Sequence, residues 1–188
     1  MTQKKNHYLY NAVRHFKTIT NHKILVMKGC FKLGLYKQGL LHDLSKYAPS
    51  EFLVGVKYYQ GDRSPNNAER EDIGYSSAWL HHKGRNKHHY EYWLDYSSRA
   101  MVTGNIMEPA QMPTKYMVEM VVDRIAASKN YLKDQYTDEC PLQYLDGAKD
   151  VSLIHKETYK QLHSLLEMLA EKGEEYTFNY IRKEILKK

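Results

Sequence analysis

The sequence predicts an all-α fold, a compact bundle of several helices. Apolar residues recur with a period near 3.6 over most of the 188 residues, which is typical of amphipathic helices. Pro49 and Pro113 each open such a segment, in positions that suit a first helical turn. No segment of the sequence shows the sustained alternation of apolar and polar residues that indicates a half-buried strand. Together these observations favour helices packed around one core.

The first part of the chain contains four predicted helices. The first covers about residues 8–18, and its apolar positions are Leu9, Ala12, Val13, Phe16 and Ile19. The second covers about 22–33 and ends before Gly34, because glycine commonly terminates a helix. Two more are predicted for about 36–44 and about 49–59.

The remainder alternates between loops and helices. Glycine and proline mark loops at residues 61–67, 101–112 and 138–150. Helices are predicted between and after these loops, at about 69–82, 88–95, 113–131, 151–171 and 175–186. The helix from Pro113 has the most regular apolar face, formed by Val118, Val121, Val122, Ile125, Ala126 and Leu132.

Composition indicates one soluble domain, residues 1–188. The chain has 28 Lys and Arg against 22 Asp and Glu, a formal charge of +6, and a mean hydropathy of −0.70. Collagen-like and disulfide-rich classes are excluded, and no apolar run approaches the length of a membrane span. Cys30 and Cys140 are interpreted as reduced thiols, and we expect a cytoplasmic location. The positive charge favours anionic ligands but does not by itself indicate nucleic acid.

Histidine is the most informative residue type. Six of the ten histidines lie between positions 22 and 89 of the chain. They are His22, His42, His81, His82, His88 and His89. Asp43 follows His42 directly, and Asp123 lies within the apolar face of the helix that Pro113 opens. Burial of a carboxylate is costly unless a partner or a metal ion offsets it. Imidazole and carboxylate ligands together suit Zn, Fe, Mn and similar ions.

The candidate metal ligands are the six histidines together with Asp43 and Asp123. Adjacent residues on a helix point about 100° apart, so each His-His pair is expected to supply one ligand. The other member would then face a second layer of contacts, a substrate or solvent. Glu51 and Glu119 could orient the ligands or act as acid/base groups, and Glu119 lies one helical turn before Asp123.

These motifs resemble the HD-domain superfamily of metal-dependent phosphohydrolases. Its pattern is a His, a His-Asp pair and a distant Asp, which corresponds here to His22, His42-Asp43 and Asp123. Residues 40–46 (LLHDLSK) and residues 121–126 (VVDRIA) are similar to the family's motifs around the His-Asp pair and the last Asp. The resemblance covers about residues 20–133. It implies a helical HD-domain, phosphodiesterase-like core with the terminal helices packed on it.

The resemblance implies hydrolysis of a phosphate ester in a nucleotide or related small molecule. One or two divalent ions (Mn, Fe, Co, Zn or Mg) would be bound, with Asp43 as the bridging ligand and a metal-bound hydroxide as the nucleophile. Lys46 would contact the phosphoryl group, and Arg85 and Asn86 would contribute to substrate binding. The segment after His88-His89 lacks the Gly-Tyr-Pro ending of the cyclic-dinucleotide branch, so that branch's substrate is not implied.

Two alternatives stay open. The histidine-rich interval also fits the related di-iron oxygenases, of which myo-inositol oxygenase is one. The charge and the 17 tyrosines fit a non-catalytic helical module that binds nucleotides or a protein partner. No membrane or nucleic-acid partner is expected, and a homo-oligomer is left open.

Overall fold

The first helix runs without interruption through the two segments predicted separately. The computed structural model describes residues 2–147 and 151–188, with side chains from residue 7 onward. Helix α1 (Thr2–Lys32) continues through residues 19–21, which contain neither glycine nor proline to break it. His22 therefore projects from the interior of a long, continuous helix and not from a helix start.

A turn carrying the His-Asp pair follows the next helix. Helix α2 (Tyr36–Leu41) ends about three residues earlier than predicted, because Asp43 adopts the left-handed conformation with φ 54° and ψ 23°. A 3-10 turn (Leu44–Tyr47) and helix α3 (Pro49–Lys57) come next. Left-handed backbone is uncommon for residues other than glycine, although Asp and Asn tolerate it better than most. Strain of this kind is concentrated at functional sites.

The prediction of one helix over 69–82 is wrong, since two shorter helices occupy the segment. Helix α4 (Pro65–Ile73) begins inside the predicted loop, and helix α5 (Ser77–Lys83) follows a sharp turn. Gly74 forms this turn with φ 83°, a conformation that most residues avoid. Ser76 then caps α5, because its hydroxyl accepts a hydrogen bond from the amide of Trp79 at 3.0 Å.

A turn, a 3-10 segment and the first strand of a small hairpin replace the helix predicted over 88–95. After a turn and a 3-10 segment (Tyr90–Trp93), strand β1 (Leu94–Tyr96) pairs antiparallel with strand β2 (Met107–Pro109). The short helix α6 (Ala100–Thr103) lies between the strands, in a segment predicted as loop. The expectation of no strand is also wrong. Strands of three residues are too short to show a period, and the pairing partner stabilises them.

Three further helices complete the fold. Helix α7 (Thr114–Leu132) confirms the helix predicted from Pro113, and helix α8 (Cys140–Asp146) lies within the segment predicted as irregular. Residues 148–150 of that segment lie outside the described residues. Helix α9 (Lys156–Tyr180) joins the two predicted terminal helices across a kink at Gly173, and a π-helical turn (Ile181–Ile185) follows it.

The hydrophobic core lies between α1, α7 and α9, so the terminal helices share one core with the region that carries the histidines. Its fully buried members include Val26, Leu33, Met117, Val118, Val121, Leu162, Leu166, Leu169 and Ile181. Gly29 allows α1 to approach α7 closely, because a Cβ at this position would lie 2.6 Å from Cγ1 of Val122. The fold is a compact all-α bundle with one small two-stranded sheet in the described part of the chain. Among the described residues, none of the helices combines the length and the apolar character needed to cross a bilayer.

Candidate metal centre

Asp43 lies at the middle of a cluster of histidines and acids contributed by several elements. Its side chain is buried, and its left-handed backbone turns the chain so that His42 and Asp43 face the same interior space. Oδ2 of Asp43 faces His22 of α1 and the neighbouring His42, whereas Oδ1 faces residues from α5 and the turn after it. One carboxylate therefore lies between two groups of potential ligands.

The first group, named site A, consists of His22, His42, Asp43 and Asp123. Nε2 of His22 lies 2.9 Å from Oδ1 of Asp123 and 3.5 Å from Oδ2 of Asp43. Nε2 of His42 lies 3.4 Å and 3.3 Å from the same two oxygens, and 3.3 Å from Nε2 of His22. These four atoms lie within 4.8 Å of one another.

The second group, named site B, consists of Asp43, His82, His88 and His89. Oδ1 of Asp43 lies 3.2 Å from Nε2 of His82 and 3.4 Å from Nε2 of His88. Nε2 of His89 lies 2.9 Å from Nε2 of His82. The donor atoms of site B also lie within 4.8 Å of one another.

The spacing and the unsatisfied atoms of both sites fit divalent cations. Ligand atoms bound about 2.0–2.2 Å from one ion lie about 3–3.5 Å apart, which matches the separations in sites A and B. Oδ1 of Asp43 and Nε2 of His88 are buried without a hydrogen-bond partner, whereas Oδ2 of Asp43 has the ammonium of Lys46 as a close charged contact. Buried polar atoms without a partner are rare in folded proteins and commonly mark the position of an ion or a water molecule. The described residues could thus hold one or two divalent ions.

Glu119 fixes the orientation of one imidazole from each site. Its Oε1 lies 3.0 Å from Nδ1 of His42 and 3.3 Å from Nδ1 of His88. An ionised carboxylate only accepts hydrogen bonds, so both imidazoles carry their proton on Nδ1. The Nε2 lone pairs of His42 and His88 are then directed at sites A and B. His42, His88 and Glu119 also form a third group of clustered donors. Because Nδ1 of both rings carries a proton, we interpret Glu119 as a support for the two ligands and not as a metal ligand itself.

Glu51 performs the same task for His82. Its Oε2 lies 2.8 Å from Nδ1 of His82, and its Oε1 lies 2.5 Å from Nδ1 of His81. The expectation that Glu51 and Glu119 orient ligands agrees with these contacts. The Nε2 atom of His82 therefore faces Asp43 and His89.

Electrostatic contacts keep the two aspartates ionised. Burial acts to raise the pKa of Asp43, but His42, Lys46 and His82 outweigh it and hold the pKa well below its usual range. For Asp123, burial is likewise outweighed by His22 and His42, and its pKa is well below the usual value. Imidazoles that bind a metal are neutral, so the two buried carboxylates would then leave negative charge that a divalent ion compensates.

Lys46 contacts the side of Asp43 that faces site A. Its ammonium lies 2.5 Å from Oδ2 of Asp43, and about a third of the lysine side chain (29%) is exposed. Burial acts to lower the pKa of Lys46, but Asp43 and Asp123 raise it above its usual range, so the group stays protonated. Lys46 therefore places a fixed positive charge at the partly open edge of the centre.

Three predicted site residues do not face the centre. His81 lies outside both donor sites and contacts Glu51, because it points away from His82 on helix α5. Arg85 is exposed and donates a hydrogen bond to the carbonyl of His81 at 3.3 Å. Asn86 is buried within the protein, where its amide donates to the carbonyl of His82 and to Ser45 Oγ, both at 2.8 Å. Asn86 thus stabilises the turn after α5, and the substrate-binding role of Arg85 and Asn86 stays a prediction.

The second His-His pair behaves differently from the first. His88 and His89 both contribute to site B, whereas one ligand per pair is expected on a helix. They lie in a turn before the 3-10 segment, so the 100° rotation between helical neighbours does not apply to them. The expectation of one ligand therefore matches only the pair His81-His82, which lies on α5.

Sequence reasoning missed two supporting residues. Lys23 donates hydrogen bonds to the carbonyls of Leu40 and His42, at 2.7 and 3.0 Å, and so ties α1 to the turn that carries Asp43. Ser45 Oγ lies 3.1 Å from Nδ1 of His82 and links this turn to α5. No motif marks Lys23, and the motif of residues 40–46 contains Ser45 without indicating its role, since the partners of both residues are set by the packing of distant segments.

Comparison with known proteins places the chain in a family. A model of a family of unknown function (DUF5662) matches residues 11–168, which is most of the chain. The chain belongs to this family. The matched region includes all members of sites A and B, from His22 to Asp123. Neither the curated proteins nor the solved structures yielded a significant match to the chain.

Proposed function

We propose that the protein is a metal-dependent phosphohydrolase that cleaves a phosphate ester of a nucleotide or related small molecule. The observation that carries this proposal is the position of Asp43, with Oδ1 in one group of donors and Oδ2 in another. Two-metal phosphatases hold ions about 3.5–4 Å apart, and a shared carboxylate is the usual way to achieve such a spacing. The resemblance of residues 20–133 to HD-domain hydrolases points to the same chemistry.

The ligand assignment follows from the two sites. His22, His42, Asp43 and Asp123 would hold one ion, and Asp43, His82, His88 and His89 would hold the other. Bound divalent ions supply Lewis acidity, which lowers the pKa of water and stabilises negative charge on phosphoryl oxygens.

The chain's own residues position the substrate and the ligands. Lys46 stays protonated and partly exposed, so its ammonium can bind a phosphoryl oxygen at the edge of site A. Asp43 stays ionised, which suits a ligand shared by two cations. Glu119 keeps the Nδ1 protons of His42 and His88 in place, so that these rings present Nε2 to the centre. Burial of the donors limits the access of bulk water.

The test combines metal analysis with a substrate screen. The purified full-length protein is loaded with Mn, Fe, Co or Zn, analysed for bound metal, and assayed against p-nitrophenyl phosphate, bis-p-nitrophenyl phosphate and a panel of nucleotides. Asp43→Asn keeps the side-chain shape and tolerates the left-handed backbone, so we expect it to lose both metal and activity. Asp62→Asn is the matched control, since Asp62 is exposed. A wild-type protein with stoichiometric metal and no turnover of any phosphoester would contradict the proposal.

A di-iron oxygenase is the second candidate, and the number of imidazoles favours it. Sites A and B together contain five histidines and two aspartates, a nitrogen-rich set that suits iron. Substrate-dependent oxygen consumption by the iron-loaded protein would support this function, whereas phosphate release without oxygen uptake would exclude it in favour of the hydrolase.

A further inference from the structure

We infer that sites A and B are unequal: site B retains a tightly bound ion of the zinc, iron or cobalt class, and site A takes a harder, exchangeable ion such as Mn²⁺ or Mg²⁺. This inference rests on the dinuclear centre of the proposed function. It concerns how the centre is loaded, and it makes activity depend on the free concentration of the second ion.

The donor sets differ in chemical character. Site B offers three imidazole nitrogens and one carboxylate oxygen, from His82, His88, His89 and Asp43. Site A offers two imidazole nitrogens and two carboxylate oxygens. Imidazole suits Zn, Cu, Fe and Ni, whereas carboxylate oxygens suit Mg, Ca and Mn. His89 is the residue that makes site B nitrogen-rich.

The imidazoles of site B are held in place by neighbouring side chains. His82 and His88 are buried, with 1% and 2% of each residue exposed. Glu51 and Glu119 contact the Nδ1 atoms of these two rings. The indole of Trp79 packs edge-on against His89 with 4.7 Å between ring centroids. Four protein donors with oriented second-layer partners are typical of sites that hold a metal permanently.

Site A already contains a competing cation. Asp123 has 16% of its side chain exposed, and Lys46 beside it has 29% exposed. The ammonium of Lys46 contacts Oδ2 of Asp43, which is the site A oxygen, and the structure gives it no such contact with Oδ1. An ion entering site A must share or displace this contact, whereas an ion in site B uses the other oxygen. Lys46 therefore weakens binding at site A selectively.

The experiment is a titration of the metal-free, full-length protein with Co²⁺, followed by calorimetry and visible absorption. Four-coordinate Co²⁺ absorbs far more strongly than six-coordinate Co²⁺, so the two steps can be distinguished. We expect a first equivalent with strong absorption and a second equivalent that binds more weakly by at least about tenfold. Mn²⁺ added to the one-cobalt protein should fill the second position without displacing cobalt. Two indistinguishable steps, or release of the first cobalt by Mn²⁺, would overturn the inference.

Three variants assign the steps. We expect His89→Gln to weaken the first step by about 10-fold or more, and His22→Gln to remove the second step while the first keeps its affinity and spectrum. Lys46→Met should strengthen the second step and leave the first unchanged. His155→Gln is the control for loss of an imidazole away from the centre. Loss of the strong first step in His22→Gln, with retention in His89→Gln, would reverse the assignment.

The titration separates this inference from the proposed function. Because it measures occupancy without substrate, unequal steps in a protein that hydrolyses no phosphoester would contradict only the hydrolase. Equal steps in an active hydrolase would contradict only the inequality of the sites. Circular dichroism of each metal-free variant identifies those that fail to fold, and the wild-type titration alone decides between equal and unequal sites.

Discussion

Oε1 of Glu119 lies 3.0 Å from Nδ1 of His42, on the side of the imidazole opposite to site A. The same oxygen lies 3.3 Å from Nδ1 of His88, a member of site B. Glu119 and Asp43 therefore approach the pair of rings from opposite sides: Asp43 lies at their Nε2 atoms and Glu119 at their Nδ1 atoms. One buried carboxylate thus supports a ligand of each site, so the geometry of the two sites is coupled.

This arrangement predicts the effect of Glu119→Gln. The amide has nearly the same shape but cannot accept two charge-assisted hydrogen bonds as strongly, so both rings lose orientation. We expect metal affinity to fall by about 10- to 100-fold at both sites, measured by competition with a chromophoric chelator. Glu175→Gln is the matched control, because Glu175 is exposed. An unchanged affinity at one site would show that Glu119 supports only the other.

Lys23 provides a test of the turn that carries Asp43. Its ammonium donates to the carbonyls of Leu40 and His42, so Lys23→Met leaves both acceptors without this partner. A hydrogen bond to a charged group contributes about 1.5–3 kcal/mol. For the two bonds of Lys23 together, we expect the free energy of unfolding to fall by about 1.5–3 kcal/mol in Lys23→Met.

Metal affinity should also fall in Lys23→Met, since the strained turn at Asp43 is less well held. Urea unfolding of the metal-free protein and metal competition measure the two effects. Lys28→Met, an exposed position on the same helix, is the control. Loss of stability with unchanged metal affinity would mean that Lys23 supports the fold and not the site.

The sequence predicts the helices that have a strong local pattern. Residues of α7 show a regular apolar period after a proline, and the structure forms the helix as predicted. Gly74 was not recognised as a break, because a single glycine in a helical pattern acquires its positive φ only from the packing of α4 and α5. Strands β1 and β2 were missed because each depends on a partner more than ten residues away.

In the candidate site, too, the sequence predicts the residue types but not the contacts that depend on distant segments. Histidine and aspartate are recognisable as ligand types from the sequence, and residues from five segments converge. Which histidine of a pair faces inward depends on whether the pair lies on a helix, as His81-His82 does, or in a turn, as His88-His89 does. The role of Lys23 depends on the carbonyls that tertiary packing brings to it. Sequence periodicity contains no information about such contacts.

Asp43→Asn is expected to abolish stabilisation by metal. A ligand that binds only the folded state at 100 times its Kd adds about 2.7 kcal/mol to the free energy of unfolding. Wild-type protein should show a gain of this order with a saturating divalent ion, and Asp43→Asn should show almost none, since Asp43 belongs to both sites. Thermal unfolding with and without EDTA measures the gain. A full gain in Asp43→Asn would exclude Asp43 as a shared ligand.

Without metal, Asp43→Asn should be less stable than the wild type. Ionised Asp43 pairs with Lys46, and its pKa is held well below the usual range, so the neutral amide loses a stabilising ion pair and leaves Lys46 without it. Asparagine tolerates the left-handed backbone, so the turn itself is kept. A metal-free variant as stable as the wild type in urea unfolding would show that this ion pair does not stabilise the fold.

The last prediction concerns His15, a buried histidine away from the donor sites. His15 has 7% of its surface exposed, packs against the rings of Phe52 and Tyr59, and has no hydrogen-bond partner for Nδ1. Burial lowers the pKa of His15 to about 4, with a smaller contribution from the nearby charge of Lys46. The folded protein therefore resists protonation of this ring more than the unfolded chain does.

The effect on stability follows from this difference. The unfolded chain takes up the proton below about pH 6.5, whereas the folded protein takes it up only near pH 4. The contribution of neutral His15 is complete above about pH 6.5 and is lost as the pH falls towards 4, by about 3 kcal/mol in total. His15→Leu should flatten this part of the pH profile, measured by urea unfolding of metal-free protein between pH 7 and about 4. His7→Leu, at an exposed position, should leave the slope unchanged. Parallel profiles for His15→Leu and the wild type would show that His15 is not the group responsible.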